Sequence, residues 1–222
     1  MHPRVAALHH DESPHHSESM SNPIHQTGKD FERIAKNIHP GGWAIESERP
    51  IATLLGSCVA VCLFDPKLKL GGMNHFLLPT GSGTDYSDMD VILNGDYSME
   101  VLVNGMLNKG AQKSRLIAKA FGGGSIVSAI RMDIGGRNSA FAEEWLKREG
   151  IPLVSSDFNG PWSRKVVFVP HSGDAFCSRI PITQAKAEKV VRTEQEFERK
   201  LTEQMKTSAK NIELFPGNIP DR

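Results

Sequence analysis

The sequence predicts an α+β fold, a layered α/β sandwich with a mixed, largely antiparallel sheet and helices packed on it. Two observations point there. From Trp43 onward, apolar residues come in short runs bounded by turn signals, and between those runs lie two stretches with helical spacing. The implied order is strand pair, helix, strand, helix, hairpin, which places helices on a sheet within one domain spanning residues 43–182.

Each element has its own signal. Ile51–Phe64 is rich in β-favouring residues and closes on Asp65-Pro66, so its latter half is expected to be a strand ending in a turn. Leu70–Leu78 is the returning strand, closed by Pro79, and Thr80–Ser87 is a polar loop. Ser98 is a candidate N-cap for a helix whose stripe is Met99, Leu102, Val103, Met106 and Leu107, stopped by Gly110. Leu116–Phe121 is a short strand. Gly122–Ser125 follows it without the lysine of a phosphate-binding loop, so its glycines predict a close backbone approach. A second helix is expected from an Asn138 N-cap, with Phe141, Ala142, Trp145 and Leu146 on one face and Gly150 and Pro152 ending it. Lys165–Val169 and Ala175–Ile180 flank His171–Asp174 as a hairpin. Residues 183–222 are a charged C-terminal helix and tail. The helix, Thr183–Lys210, has a narrow seam of Val190, Val191, Phe197, Leu201 and Met205 that rests on the domain or on a partner.

Composition narrows the function classes. Lys+Arg and Asp+Glu balance at 26 each, so there is no whole-molecule field to draw in nucleic acid or an anionic membrane. The longest apolar run, Cys58–Phe64, is far short of the roughly 20 residues that cross a bilayer, which argues against membrane insertion. Residues 1–42 read as a disordered, His-rich leader, because the histidines at 2, 9, 10, 15, 16 and 25 are mixed with polar residues without apolar period. No signal-peptide pattern and three cysteines, too few for a disulfide framework, imply a cytoplasmic protein with free thiols.

The informative segment runs from Gly56 to His75. A four-residue turn at Asp65–Leu68 would pair Phe64 with Lys69 and, counting outward, Cys58 with His75. Directly opposed residues share a face with Cβ atoms roughly 4.5–5.5 Å apart, whereas a one-residue slip would separate them. Cys58, Ala60 and Cys62, opposite Gly71, form a small-residue face with room for something to approach. Val59, Val61 and Leu63 form the core face. A histidine beside a cysteine can take the thiol proton and later protonate a leaving group. Gly56-Ser57 can bring amide N–H groups to an oxyanion, and Thr53 or Ser57 can orient the imidazole. Cys62 has no histidine opposite and reads as packing, as does Cys177, while His171 reads as a surface residue. Zinc is disfavoured because the folded part has no C-x-x-C or second histidine cluster.

The segments TLLGSCVAVCLFDP, GGMNHFLLP, KAFGGGS, IGGRN, WLKREGIPLVSSDFNG and RKVVFVPHSG, in that order between Trp43 and Ile182, closely resemble the CheD family of chemoreceptor glutamine deamidases. The resemblance implies a layered Cys/His-hydrolase domain, similar to bacterial toxin deamidases, that converts selected glutamines of methyl-accepting chemotaxis receptors to glutamate. It implies Cys58 as nucleophile, His75 as general base and an upstream threonine as third member. The ungapped six-residue offset lands on Ala52, with Thr53 one place later, so either Thr53 fills that role through a different backbone path or the site works as a dyad. No metal or organic cofactor is implied, and a CheC-type phosphatase is implied as a further partner. Two other readings stay open: a cysteine hydrolase with another amide substrate, and a non-catalytic docking protein for receptors or such a phosphatase.

Overall fold

The computed structural model describes residues 27–78, 88–125, 133–181 and 185–210. In chain order the elements are α1 (Gly28–Ile34), β1 (Lys36–Asn37), β2 (Trp43–Glu46), β3 (Ile51–Leu55), β4 (Val59–Asp65), β5 (Leu70–Asn74) and α2 (Asp88–Asn108). A 3-10 turn at Lys113–Arg115 leads to β6 (Ile117–Gly122), α3 (Ile134–Arg148), β7 (Leu153–Phe158), β8 (Trp162–Val169), β9 (Asp174–Pro181) and α4 (Ala185–Lys210). They build two sheets, ordered β2-β5-β4-β6-β7 and β1-β3-β8-β9. Each is antiparallel apart from one parallel pair, β6–β7 in the first and β1–β3 in the second. The α+β sandwich of the sequence reading is therefore present, with two sheets in place of one.

Strand β4 lies at the centre and is buried on both faces, which explains its unbroken apolar run. Val59, Val61 and Leu63 pack with Met99, Leu102 and Met106 of α2 and with Ala142, Trp145 and Leu146 of α3. Burying a leucine such as Leu102 completely contributes about 1.5–3 kcal/mol. The other face, with Cys58, Ala60 and Cys62, meets Ile51, Leu55, Val166 and Phe168 of the four-stranded sheet. The small-residue face is thus an inter-sheet core and not an open approach. Small side chains let the sheets come close: a Cβ on Gly71 would stand 2.5 Å from the Phe168 ring.

Several boundaries differ from expectation for identifiable reasons. Part of the expected leader is structured, because Phe31 and Ala35 pack against Ala52 and Val167 on the outer side of the second sheet and hold α1 and β1 there. Ser98 is not a cap but lies within α2, which starts at Asp88. Its carbonyl accepts from Asn74 Nδ2 at 3.0 Å. Leu107 faces outward at 37% exposure, while the rest of its stripe is buried. Helix α3 starts ahead of Asn138, with Asp133 as N-cap accepting from Gly136 N at 2.9 Å. Strand β7, whose apolar residues are too few to signal it, pairs in parallel with β6. The histidines of residues 1–26, the loop Thr80–Ser87 and the tail 211–222 lie outside the described residues.

The β4–β5 hairpin is shifted by two residues. Cys62 pairs with Met73 and Asp65 with Leu70, so the turn is Pro66–Lys69 and not Asp65–Leu68. The cause is the Asp65 carboxylate, which accepts from Lys67 N at 3.0 Å and Leu68 N at 3.2 Å and so closes the turn from the strand end. The last bridge is Val59 to Phe76, so Cys58 and His75 are not directly opposed. An even shift conserves the face, and the two side chains remain neighbours.

Candidate active site

The chain changes sheets between β3 and β4, and Gly56-Ser57-Cys58 is the crossing. All three carbonyls of the crossing are held: Gly56 O by Gly124 N at 2.7 Å, Cys58 O by Gly123 N at 2.9 Å, and Ser57 O by Asn138 Nδ2 at 2.8 Å. The expected close approach of the glycine run is this contact. Gly122 sits at φ +126, where a Cβ would collide with the Cys58 carbonyl. Asn138 is fixed in turn by Leu78 N, which donates to its Oδ1 at 2.8 Å. Backbone groups must be satisfied when buried. With the carbonyls tethered on one side, the three N–H groups converge on the other.

What they converge on is Glu194 of α4. Gly56 N and Cys58 N donate to its Oε1 at 2.7 and 3.2 Å, while Ser57 N and Ser57 Oγ donate to Oε2 at 2.8 and 2.9 Å. Ser57 therefore serves the carboxylate and not the imidazole. Glu194 is 5% exposed, and among the described residues it makes no ion pair.

His75 follows the end of β5, its backbone fixed by Gly42 O, which accepts from His75 N, and by Gly41 N, which donates to His75 O. Its Nδ1 lies 2.8 Å from Thr53 Oγ1, and that hydroxyl donates to Ile38 O at 2.9 Å. A hydroxyl has one proton, so Thr53 accepts from Nδ1–H and leaves Nε2 with its lone pair. Nε2 is buried, and among the described residues it has no hydrogen-bond partner. Ala52, one residue earlier, faces the α1 side with Ala35 and Val167, so the residue at the six-residue offset points away from the imidazole.

Cys58 Sγ, a His75 ring nitrogen and a Glu194 oxygen all lie within 4.8 Å of one another, and all three residues are buried. These types could ligate a zinc-like cation, but the Glu194 oxygens are turned to the amides and the hydroxyl. Burial, then the Glu194 charge and a hydrogen bond to it, then the Glu198 charge push the Cys58 thiol well above its ordinary pKa. Burial, then the charge of His39, lowers His75 from 6.5 to about 3. The pair is therefore a thiol beside a neutral imidazole while Glu194 is in place.

The other sequence candidates are elsewhere. Cys62 is buried in the inter-sheet core, and burial raises its thiol. Cys177 is half-buried, 4.0 Å from Asp157 Oδ2, and burial raises it to about 11. His171 has a half-exposed side chain 3.7 Å from Glu48. Two residues that touch the crossing escape the sequence reading. Asn138, expected as a cap, is a tether instead. Glu194 stands at the same helical spacing as Val190, Phe197 and Leu201, so a carboxylate on an apolar seam is the signal that could have found it.

A thiol, an imidazole with a free nitrogen and a cup of convergent amides on a two-sheet α+β frame form the constellation of the cysteine-hydrolase class. Comparison with known proteins narrows the class. The family described as CheD chemotactic sensory transduction matches residues 77–179. The chain is 56% identical over 189 residues to the probable chemoreceptor glutamine deamidase CheD 2 of Dechloromonas aromatica (strain RCB), covering 84% of this chain and 96% of that one. It is 39% identical over 189 residues, with the same coverage, to the protein of that name from Burkholderia thailandensis. It is 48% identical over 138 residues to the probable chemoreceptor glutamine deamidase CheD of Caulobacter sp. (strain K31), covering 62% of this chain and 72% of that one. The chain belongs to the CheD family. The crystal structure of the Bacillus licheniformis hypothetical protein YfiH is similar at a TM-score of 0.35 and 13% identity, covering 52% of this chain and 49% of that one.

Proposed function

We propose that this protein deamidates glutamine side chains of methyl-accepting chemoreceptors, with Cys58 as nucleophile, His75 as general base and Thr53 as the residue that orients it. The observation that supports the reading is the Thr53–His75 contact, which engages Nδ1 and leaves Nε2 as the free nitrogen of a ring that lies within 4.8 Å of Cys58 Sγ. The names of the relatives support the substrate class.

The steps follow from the groups present. Cys58 gives its proton to His75 Nε2, and the sulfur attacks the glutamine Cδ. The amide oxygen becomes an oxyanion, stabilised by N–H groups of the Gly56–Cys58 crossing. The imidazolium then protonates the departing nitrogen, ammonia leaves, and a thioester remains. Water, deprotonated by His75, attacks the thioester, releasing glutamate and restoring the thiol. Thr53 keeps Nδ1 protonated throughout, so that Nε2 is the nitrogen that exchanges protons. The reaction exchanges a neutral amide for a negative, acceptor-only carboxylate on the receptor helix.

A cytoplasmic setting belongs to the same proposal, since the nucleophile must stay a free thiol. Among the described residues no helix is long and apolar enough to cross a membrane. A CheC-type phosphatase is the proposed second partner. The test is Cys58→Ala, expected to lower ammonia release from receptor by about a thousandfold or more while receptor docking persists. Retained release would overturn the assignment.

A further inference from the structure

We propose that α4 is a built-in competitor of the substrate. Its Glu194 occupies the site as the glutamate product of deamidation would, and a receptor helix presenting glutamine must displace it. This rests on the deamidase reading for the identity of the displacing ligand, but the closure itself does not depend on it.

Three structural observations carry the inference. The occupant is chemically the product group, a glutamate carboxylate, held by the amides that an oxyanion would use and placed within 4.8 Å of Cys58 Sγ. It is presented from a helix, which is the form in which a receptor would offer its side chain. The helix seats lightly. Val190 is buried and Phe197, half-buried, lies against Gly41, yet a cavity of about 140 Å³ remains under α4, lined by Ile38, His39, Thr53, Val190, Thr193 and Glu194. The Glu194 carboxylate is buried and makes no ion pair among the described residues, although Lys165 and Lys189 line the same cavity, so the amide cup and the Ser57 hydroxyl hold it.

Occupation closes the site in two ways. It fills the oxyanion cup, and it places a negative charge beside the thiol that must ionise, which is why Glu194 stands second only to burial in raising Cys58. A substrate amide carries no charge, so exchanging Glu194 for glutamine removes that obstacle. After turnover, Glu194 competes with the new carboxylate for the cup and favours product release. Apparent affinity for substrate is the intrinsic affinity multiplied by the fraction of molecules in which α4 is lifted.

The full-length protein provides the test, read at Cys58 and at residue 194 by peptide mass. Glu194→Ala is expected to raise the rate of Cys58 alkylation by iodoacetamide about tenfold or more, as for a latch engaged in about nine molecules of ten. A second variant, Glu194→Gln, turns the competitor into an intramolecular substrate. Water and the introduced side-chain amide would give back a glutamate at that position and release ammonia, a gain of about one dalton that the double variant Glu194→Gln/Cys58→Ser lacks. Equal alkylation rates in wild type and Glu194→Ala would overturn the proposal. Faster alkylation without deamidation of either the introduced amide or the receptor would leave the latch standing and refute the deamidase reading. Faster alkylation with the introduced amide converted supports both.

Discussion

The two ends of β4 each hold a buried carboxylate in three backbone amides, and they do so to opposite ends. At the C-terminal end Asp65 accepts from Lys67, Leu68 and Gln112 N–H groups and is paired with Arg115, whose guanidinium lies 2.7 Å away. That pairing holds Asp65 at about 2, well below its ordinary 3.8. At the N-terminal end Glu194 accepts from Gly56, Ser57 and Cys58 beside a thiol and a neutral imidazole, and among the described residues it makes no ion pair. Asp65 belongs to the strand it caps, whereas Glu194 arrives from a helix 138 residues away in sequence. A complete charge pair makes a permanent joint. An amide cup without an ion pair makes a seat for an exchangeable occupant.

The contrast can be broken at either end. Asp65→Ala leaves Arg115 and three amides without their acceptor and is expected to lower stability by about 3–5 kcal/mol in urea unfolding. A loss under about 1 kcal/mol would remove the claim that this cup is structural.

The pH axis separates the two ends as well. Asp65 is held low, so its contribution is present above its ordinary 3.8 and is lost only as pH falls toward about 2. His75 is held near 3 against 6.5, so the unfolded chain takes a proton that the folded one refuses, and stability falls from about pH 6.5 downward. At pH 5 the expected deficit relative to pH 7 is about 2 kcal/mol. His75→Gln should flatten that limb and leave the more acidic limb unchanged. A wild-type profile level between pH 7 and pH 4, limits that lie on either side of the reference histidine value of about 6.5, would contradict the burial of a neutral imidazole.

Asn138→Ala tests whether the cup is held open by its tethers. It strands Ser57 O and Leu78 N, with an expected loss of about 1–3 kcal/mol. Deamidation should fall more than folding alone explains, read as kcat at a temperature where the variant is folded. The smallest expected effect is the stability change of Glu194→Ala, within about 1 kcal/mol, because the freed amides gain water as α4 lifts. A loss as large as that of Asp65→Ala would make α4 an integral support.

Much of the frame was legible because it depends on local periodicity. The stripe Met99, Leu102, Val103 and Met106, the face of α3 and the β8–β9 hairpin repeat at the spacing their elements require. The Cys58–His75 neighbourhood was legible for a subtler reason. Their sequence separation set the parity of their faces, and parity survived a two-residue error in register.

The amino-acid order by itself determined which side chains share a face, since helix and strand periods are properties of the backbone. It could not decide that IATLLGSCVAVCLF divides between two sheets at Ser57, because an apolar run looks the same whether one sheet or two will bury it. That division is what turns three amides outward, brings Thr53 of one sheet to His75 of the other, and leaves a seat for Glu194. Such contacts join residues 22 to 138 positions apart. They exist only once packing has closed the chain on itself, because no local preference of any single residue encodes its distant partner.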